Sequence, residues 1–270
     1  MSELHGTEGA SIAMTLASTD IEAIERATLD AVAPERIEAL PGWLLPMDHG
    51  TVGRARSAVP LRHAPADLIV LDRIADRYRA RGFTPAFRLP DLPAFDRLHE
   101  GLLARGFVRD QPTLTQCGSV RDLLAVHPGP VCDLAAAPDA AWMAMFLGEG
   151  FDPVDGVSRA QALSRAHGMR YASVREGGQT VACGAAAFGH GWLGVHGMRT
   201  AAAHRGRGLA GRVLHTMAGE AVRRGLERVF LQVSADNIPA LSLYRRAGLV
   251  TAWHYAYWRR PEAAAVDSPA

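Results

Sequence analysis

Apolar and polar positions fall into two runs of mixed helical and strand periodicity, separated by the breaker His127-Pro128-Gly129-Pro130. In the first run, Ile21, Ile24, Ala27, Leu29 and Val32 recur at helical spacing and predict a helix over Ile21–Val32, with Pro34 just beyond. Strands are expected at Gly42–Met47 and Thr51–Ser57, joined by the turn Asp48-His49-Gly50. A helix over Ala66–Arg81 stopped by Gly82 follows, then a short strand near Ala86–Arg88. A helix from Pro93 to Arg105, stopped by Gly106, and a strand from Phe107 close the run.

The second run opens with a strand over Val131–Leu134, a helix from Pro138-Asp139 toward Leu147 and another over Val157–His167. Strands are expected at Arg170–Arg175, Thr180–Phe188 and Trp192–Thr200. A long helix over Gly208–Arg224 stacks Leu209, Val213 and Met217 on one face. The strand Arg228–Ser234, the helix Ile238–Ala247 and a strand over Val250–Trp258 complete it. The uncharged stretch Val181–Met198 has transmembrane length, but it holds five glycines and two histidines. It reads as two strands meeting at Gly189-His190-Gly191.

The runs echo each other. The helix-ending glycines lie 24 residues apart in one (Gly82, Gly106) and 23 in the other (Gly225, Gly248), within the similar segments Arg79–Val108 and Val222–Val250. A tandem duplication follows, with halves at 19–126 and 127–262 and loose termini at 1–18 and 263–270.

Composition narrows the chemistry. Of 270 residues 29 are basic and 28 acidic, a net charge of +1, and every basic residue is arginine. The bias matches a GC-rich genome, and it excludes a lysine Schiff base, a pyridoxal phosphate anchor and a Walker-type phosphate loop. Near-neutral charge argues against a nucleic-acid partner. Cys117, Cys132 and Cys183 form no CxxC pair or metal-ligand spacing, so neither a disulfide framework nor a metal is expected. The N-terminal stretch lacks a basic region followed by an apolar run, so the chain is expected to be cytoplasmic, with no membrane partner.

The chemistry concentrates in Met198–Gly211, which carries two overlapping glycine patterns. Gly206-x-Gly208-x-x-Gly211 matches a dinucleotide fingerprint. Five residues separate it from the preceding strand, however, and no acid ends the next one, so a nicotinamide site is disfavoured. Arg205-x-x-Gly208-x-Ala210, after a strand and at a helix start, describes an anion site instead. Glycine admits close approach, helix N–H groups face outward, and Arg205, Arg207 and Arg212 add guanidinium charge. Downstream, Asn237-x-x-Ala240-x-x-Leu243-Tyr244 leads to Gly248-Leu249.

With both motifs in this order, residues 131–259 resemble a GNAT-type, acetyl-CoA-dependent N-acetyltransferase; only Leu249 departs, where phenylalanine is usual. The resemblance implies an α/β fold with a mixed sheet, here as two tandem acetyltransferase-like halves. It implies that the backbone around Met198 and Thr200 pairs with the pantetheine arm. The pyrophosphate would lie on the N–H groups of Arg205, Gly206, Arg207, Gly208, Leu209 and Ala210. Asn237, also well placed as a helix N-cap, would contact the arm, and Tyr244 would protonate the departing thiolate. His196, placed by strand parity on the side of Met198 and Thr200, is a candidate base, with Glu149 and Asp152 as alternatives. The first half has Leu102 where Tyr244 stands and no glycine motif before a helix, so it reads as a degenerate copy without a cofactor site. The implied acceptor is a small-molecule or peptide amine, and a homodimer is compatible with the sequence. The rival is a non-catalytic protein that senses acyl-CoA.

Overall fold

One-sided burial along the helices and continuous buried runs along the central strands build a mixed α/β fold in the computed structural model, which describes residues 16–127, 129–148 and 152–261. In chain order the first elements are α1 (Ser18–Val32), β1 (Arg36–Leu40), β2 (Trp43–Met47), β3 (Val59–Pro60), α2 (Ile69–Ala80), β4 (Ala86–Pro90), α3 (Asp96–Ala104), β5 (Val108–Ser119) and α4 (Val120–Ala125). They continue with β6 (Asp133–Ala135), α5 (Ala140–Ala144), α6 (Pro153–Arg165), β7 (Arg170–Glu176), β8 (Gln179–Gly189) and β9 (Trp192–Thr200). The last are α7 (Leu209–Arg223), β10 (Arg228–Ser234), α8 (Ile238–Arg246) and β11 (Val250–Arg259).

Eight strands form one sheet in the order β4-β11-β5-β10-β9-β8-β7-β6, beside a three-stranded sheet β1-β2-β3. A parallel bridge from Ala58 to Phe87 joins the small sheet to β4. The order is pseudo-symmetric about the β11–β5 pair. Each half's last strand lies between two strands of the other half: β11 sits between β4 and β5, and β5 between β11 and β10. On either side of this exchange the neighbouring contact is parallel, Ala58 to Phe87 in one half and Leu193–Val195 to Val229–Leu231 in the other. The duplication heard in the sequence is thus a two-fold pattern in the sheet.

One face carries α7 and α4 over Val195, Leu231 and Leu193, with Val213, Leu214 and Met217 of α7 buried among them. The other face carries α1, whose Ile24 and Ala27 pack on Trp192, Phe230 and Tyr255. Beside α1, Leu163 of α6 packs against Trp142 and Tyr171. A separate core under α2 and α3 gathers Phe87, Leu89, Phe95, Leu98 and Trp258. Between α1 and β4, the Glu25 and Arg88 side chains pair at 2.7 Å, 3% and 1% exposed. The Arg88 guanidinium also stands 5.3 Å from the Tyr255 ring centre.

Where the strand Thr51–Ser57 was expected, the chain makes a 3₁₀ turn at Gly53–Ala55. The Ser57 hydroxyl donates to the Gly53 carbonyl at 2.7 Å, a local bond that competes with ladder pairing. The partners of β2 are instead β1 and β3. The uncharged stretch expected to be two strands is β8 and β9, turning at His190-Gly191. The proposed loose termini lie outside the described residues, apart from 16–18, where Ser18 begins α1.

Candidate active site

The site begins with a divergence of parallel strands. β9 and β10 pair only at Leu193–Val195 with Val229–Leu231, although both continue beyond. Past Val195 they separate, and the edge of β9 faces a gap. The gap coincides with a bulge: Cys183 opposes Arg199 while Ala185 opposes His196, so β9 carries one extra residue there. Gly197 takes a φ of +59°, in the left-handed region that favours glycine.

The bulge corrects the parity expected from the sequence. Before it, Leu193 and Val195 point into the core beneath α7, and Trp192 and His196 point to the α1 face, where His196 meets Phe230 at 5.9 Å between ring centres. After it, Met198 points toward α7, where a Cβ on Gly184 would lie 2.5 Å from its sulfur. Met198 and His196 therefore face opposite sides of the sheet. Arg199 instead shares the His196 side, its guanidinium 5.1 Å from the centre of the Phe146 ring.

Two cavities meet at this point. The larger, about 720 Å³, runs from Thr200 along Arg205, Gly206, Gly208 and Ala210 to α8. Its floor is the start of α7, where Gly208 adopts a φ of +75° and caps the helix. The first helical bond runs from the Arg212 N–H to the Gly208 carbonyl at 3.1 Å. The N–H groups ahead of it have no helix carbonyl to bind and lie at the positive end of a 15-residue helix. An elongated cleft ending on such a floor fits a thioester with a pyrophosphate-bearing tail.

The arginines around this floor differ in availability. Arg207 makes two bonds to the Glu176 carboxylate, at 3.1 and 2.7 Å, and Arg212 donates to the carbonyls of Pro130 and Val131, each at 2.9 Å. Arg205 lies in the cleft wall and bonds the Thr200 carbonyl at 3.4 Å. The first half offers no equivalent floor. Its matching helix, α2, starts after a loop without glycine, and the Asp67 carboxylate accepts the Ile69 N–H at 3.0 Å. An acid there occupies the place an anion would take.

The smaller cavity, about 300 Å³, lies on the α1 face. Met198, Arg199, Asn237 and Tyr244 line both cavities. Asn237 caps α8, its side-chain oxygen accepting the Ala240 N–H at 3.2 Å, as its place before Pro239 suggests. Tyr244, about two turns further along α8, is 6% exposed. Burial pushes its phenol up to about 12, with the Arg199 charge pulling the other way, so it holds its proton at neutral pH.

His196 reaches the smaller cavity, but not as a base of ordinary strength. Burial, reinforced by the Arg54 charge, pushes its imidazole down to about 3. It is neutral at pH 7 and takes a proton only weakly. Asp152 is exposed and caps α6 by accepting the Asp155 N–H at 2.8 Å, and Glu149 lies outside the described residues. Leu102 is fully buried in the core under α2 and α3. The sequence reading missed Arg54, Asp155, Arg159, Arg199, Tyr255 and Tyr257, which line the smaller cavity. Arg54 was hidden in a segment read as strand, and Arg199 by the bulge.

Among the described residues, no group of three or more His, Cys, Asp or Glu could hold a metal ion, and no helix is long and apolar enough to cross a membrane. The family model "Probable histone acetyltransferase Rv0428c C-terminal" matches residues 18–258. The uncharacterized N-acetyltransferase YobR of Bacillus subtilis (strain 168) is 28% identical over 122 residues, 44% of this chain; the match spans about half of that protein, 49%. A GCN5-related N-acetyltransferase from Kribbella flavida superposes with a TM-score of 0.67 at 20% identity, over 94% of this chain and 99% of that one. A tandem GNAT protein from the clavulanic acid biosynthesis pathway gives a TM-score of 0.55 at 15% identity, over 92% and 98%.

Proposed function

Since the chain belongs to the Rv0428c C-terminal acetyltransferase family, on a GNAT fold, we propose that it transfers an acetyl group from acetyl-CoA to a primary amine. The observation that carries this reading is Tyr244 at the wall shared by two cavities, with an anion-binding helix start at the far end of the larger one. Acetyl-CoA supplies an acetyl group activated as a thioester. The N–H groups of Arg205 to Ala210, with the Arg205 guanidinium, hold its pyrophosphate. The free edge of β9 around Met198 and Thr200 orients the pantetheine arm, and the Asn237 amide adds a polar contact. The acceptor amine approaches from the smaller cavity.

As the amine nitrogen bonds the carbonyl carbon and the carbon–sulfur bond breaks, Tyr244 donates its Oη proton to sulfur. The surplus amine proton leaves through water and restores the phenol. His196, held at about 3, serves as a neutral hydrogen-bond partner in this scheme. The Arg199 charge beside Tyr244 lowers the cost of a transient phenolate. The first half supplies the turn at Gly53–Ala55 and strand β5 to the acceptor cavity, and no second donor site.

Release of free thiol from acetyl-CoA over a panel of amines tests the reading. Thiol release with an amine, lost in Tyr244→Phe, is expected. The weak basicity of His196 favours one second reading, a sensor that binds acyl-CoA without turnover. That reading predicts a thermal shift with acetyl-CoA and no thiol release from any amine. Acetyl-CoA at about 100 times its dissociation constant should stabilise the fold by roughly 2.7 kcal/mol, and absence of any shift overturns both.

A further inference from the structure

The smaller cavity is unevenly charged. Its described lining includes Arg54 and Arg159 with one carboxylate, Asp155. That carboxylate is already held, by Arg159 Nε at 2.5 Å and by the Thr51 hydroxyl at 2.7 Å. Arg54, on the turn Gly53–Ala55, has no carboxylate within ion-pair distance among the described residues. Its Nη1 donates to Gln232 Oε1 at 3.1 Å, and its Nε is buried without a hydrogen-bond partner. Glu25 feels the Arg54 charge, but it pairs with Arg88 at 2.7 Å. A half-buried guanidinium in a cavity wall, with no carboxylate partner among the described residues, is a receptor for an oxyanion. Acetyl-CoA does not meet this need, because its pyrophosphate belongs at the start of α7, in the other cavity.

We propose that the acceptor amine carries an anionic oxyacid group, a carboxylate or a phosphate, which the Arg54 guanidinium binds. The proposal rests on the acetyltransferase reading and specifies its acceptor. The geometry orders the substrate along the cavity: the amine lies at the wall formed by Met198, Asn237 and Tyr244, and the anion lies toward the turn. A volume of about 300 Å³ sits at the small end of ligand sites, so the acceptor is of amino-acid size. A lysine-rich segment fits poorly, since its neighbouring cations would face Arg54 and Arg159.

The test uses the full chain, acetyl-CoA and matched amines: phenylalanine and glutamate against their α-carboxamides, phosphoethanolamine against ethanolamine, and a lysine-rich peptide. Thiol release and thermal shift are read for each. The anionic member of at least one pair should exceed its neutral partner in kcat/KM by roughly 10–100-fold, the scale of one charge-assisted hydrogen-bonded pair. The preferred pair distinguishes carboxylate from phosphate. Arg54→Gln should reduce that preference to about twofold or less while the acetyl-CoA thermal shift persists, and Arg54→Lys should restore part of it. Equal rates within every pair, preference for the basic peptide, or neither binding nor turnover of any anionic amine beside an intact acetyl-CoA shift would overturn the proposal. Loss of the acetyl-CoA shift in the unaltered protein would instead overturn the acetyltransferase reading.

Discussion

Replacing Arg88 by methionine leaves Glu25 as a carboxylate 2% exposed, with its partner gone. At 2.7 Å the pair attracts by roughly 6 kcal/mol for an effective dielectric of about 20. Each ion also gave up several kcal/mol of hydration on burial, so the intact pair contributes little net stability. Removing one partner deletes the attraction and keeps the other's desolvation, a loss of about 3–5 kcal/mol. For a chain of this size that lowers Tm by about 6–20 °C. Arg88→Met combined with Glu25→Leu removes both charges and should recover most of the loss. Burial already holds the Glu25 carboxyl above its ordinary value, and losing Arg88 raises it further. A raised folded pKa gives stability at low pH that disappears as pH rises through it, so the Arg88→Met deficit should shrink on acidification. Thermal melts of the wild type, both single variants and the double variant at pH 7.5 and pH 5.5 complete the cycle. An Arg88→Met protein within 3 °C of wild type, or a double variant no better than the worse single, would refute this account.

Tyr244→Phe keeps the ring and removes only the acid; kcat should fall by roughly 10²–10⁴-fold, about 2.7–5.5 kcal/mol, with the acetyl-CoA thermal shift retained. An unchanged rate would remove Tyr244 from the mechanism. His63 and His196 are held to about 4 and about 3 by burial, against 6.5 unfolded. The unfolded chain thus binds more protons as pH drops below about 6.5, and each histidine should cost up to about 1.4 kcal/mol per pH unit down to its folded value. His196→Gln should flatten that slope between pH 6.5 and 4; a wild-type Tm constant over this range would contradict the assignment. Gly197→Ala combines a φ of +59° with a Cβ 2.7 Å from Leu163 Cδ1, and should destabilise by about 1–3 kcal/mol while impairing turnover. Arg205→Ala should raise the KM for acetyl-CoA more than Arg207→Ala, whose guanidinium is committed to Glu176; the opposite ranking would reassign the pyrophosphate contact.

Local signals carried much of this architecture. The strands β8 and β9 were legible because glycines and a His-Gly turn break an otherwise uncharged run, and α7 because Leu209, Val213 and Met217 repeat at helical spacing. Arg205, Gly208, Asn237 and Tyr244, named from motif spacing, do converge on the walls of one cleft. The features that escaped depend on partners distant in sequence. β5 is flanked by β10 and β11, and nothing within Val108–Ser119 specifies that choice. The bulge at Gly197 reverses side-chain direction without disturbing the apolar pattern, which misplaced His196 and concealed Arg199. The turn at Gly53–Ala55 looked like a strand because its small and charged residues alternate, yet Arg54 is directed toward a cavity built mainly by the other half.

The exchanged strands also set a schedule for synthesis. Translation completes β5 at Ser119, but the strand that fills the space between β4 and β5 starts at Val250, 131 residues later. At roughly 5–20 residues per second, the nascent chain carries that unfilled gap for about 7–26 s. During this interval the facing edges of β4 and β5 present unpaired backbone groups that another nascent copy can supply as readily as the chain's own β11. Crowded polysomes are therefore where two copies would exchange strands with each other, and slower initiation should lower the yield of strand-exchanged copies.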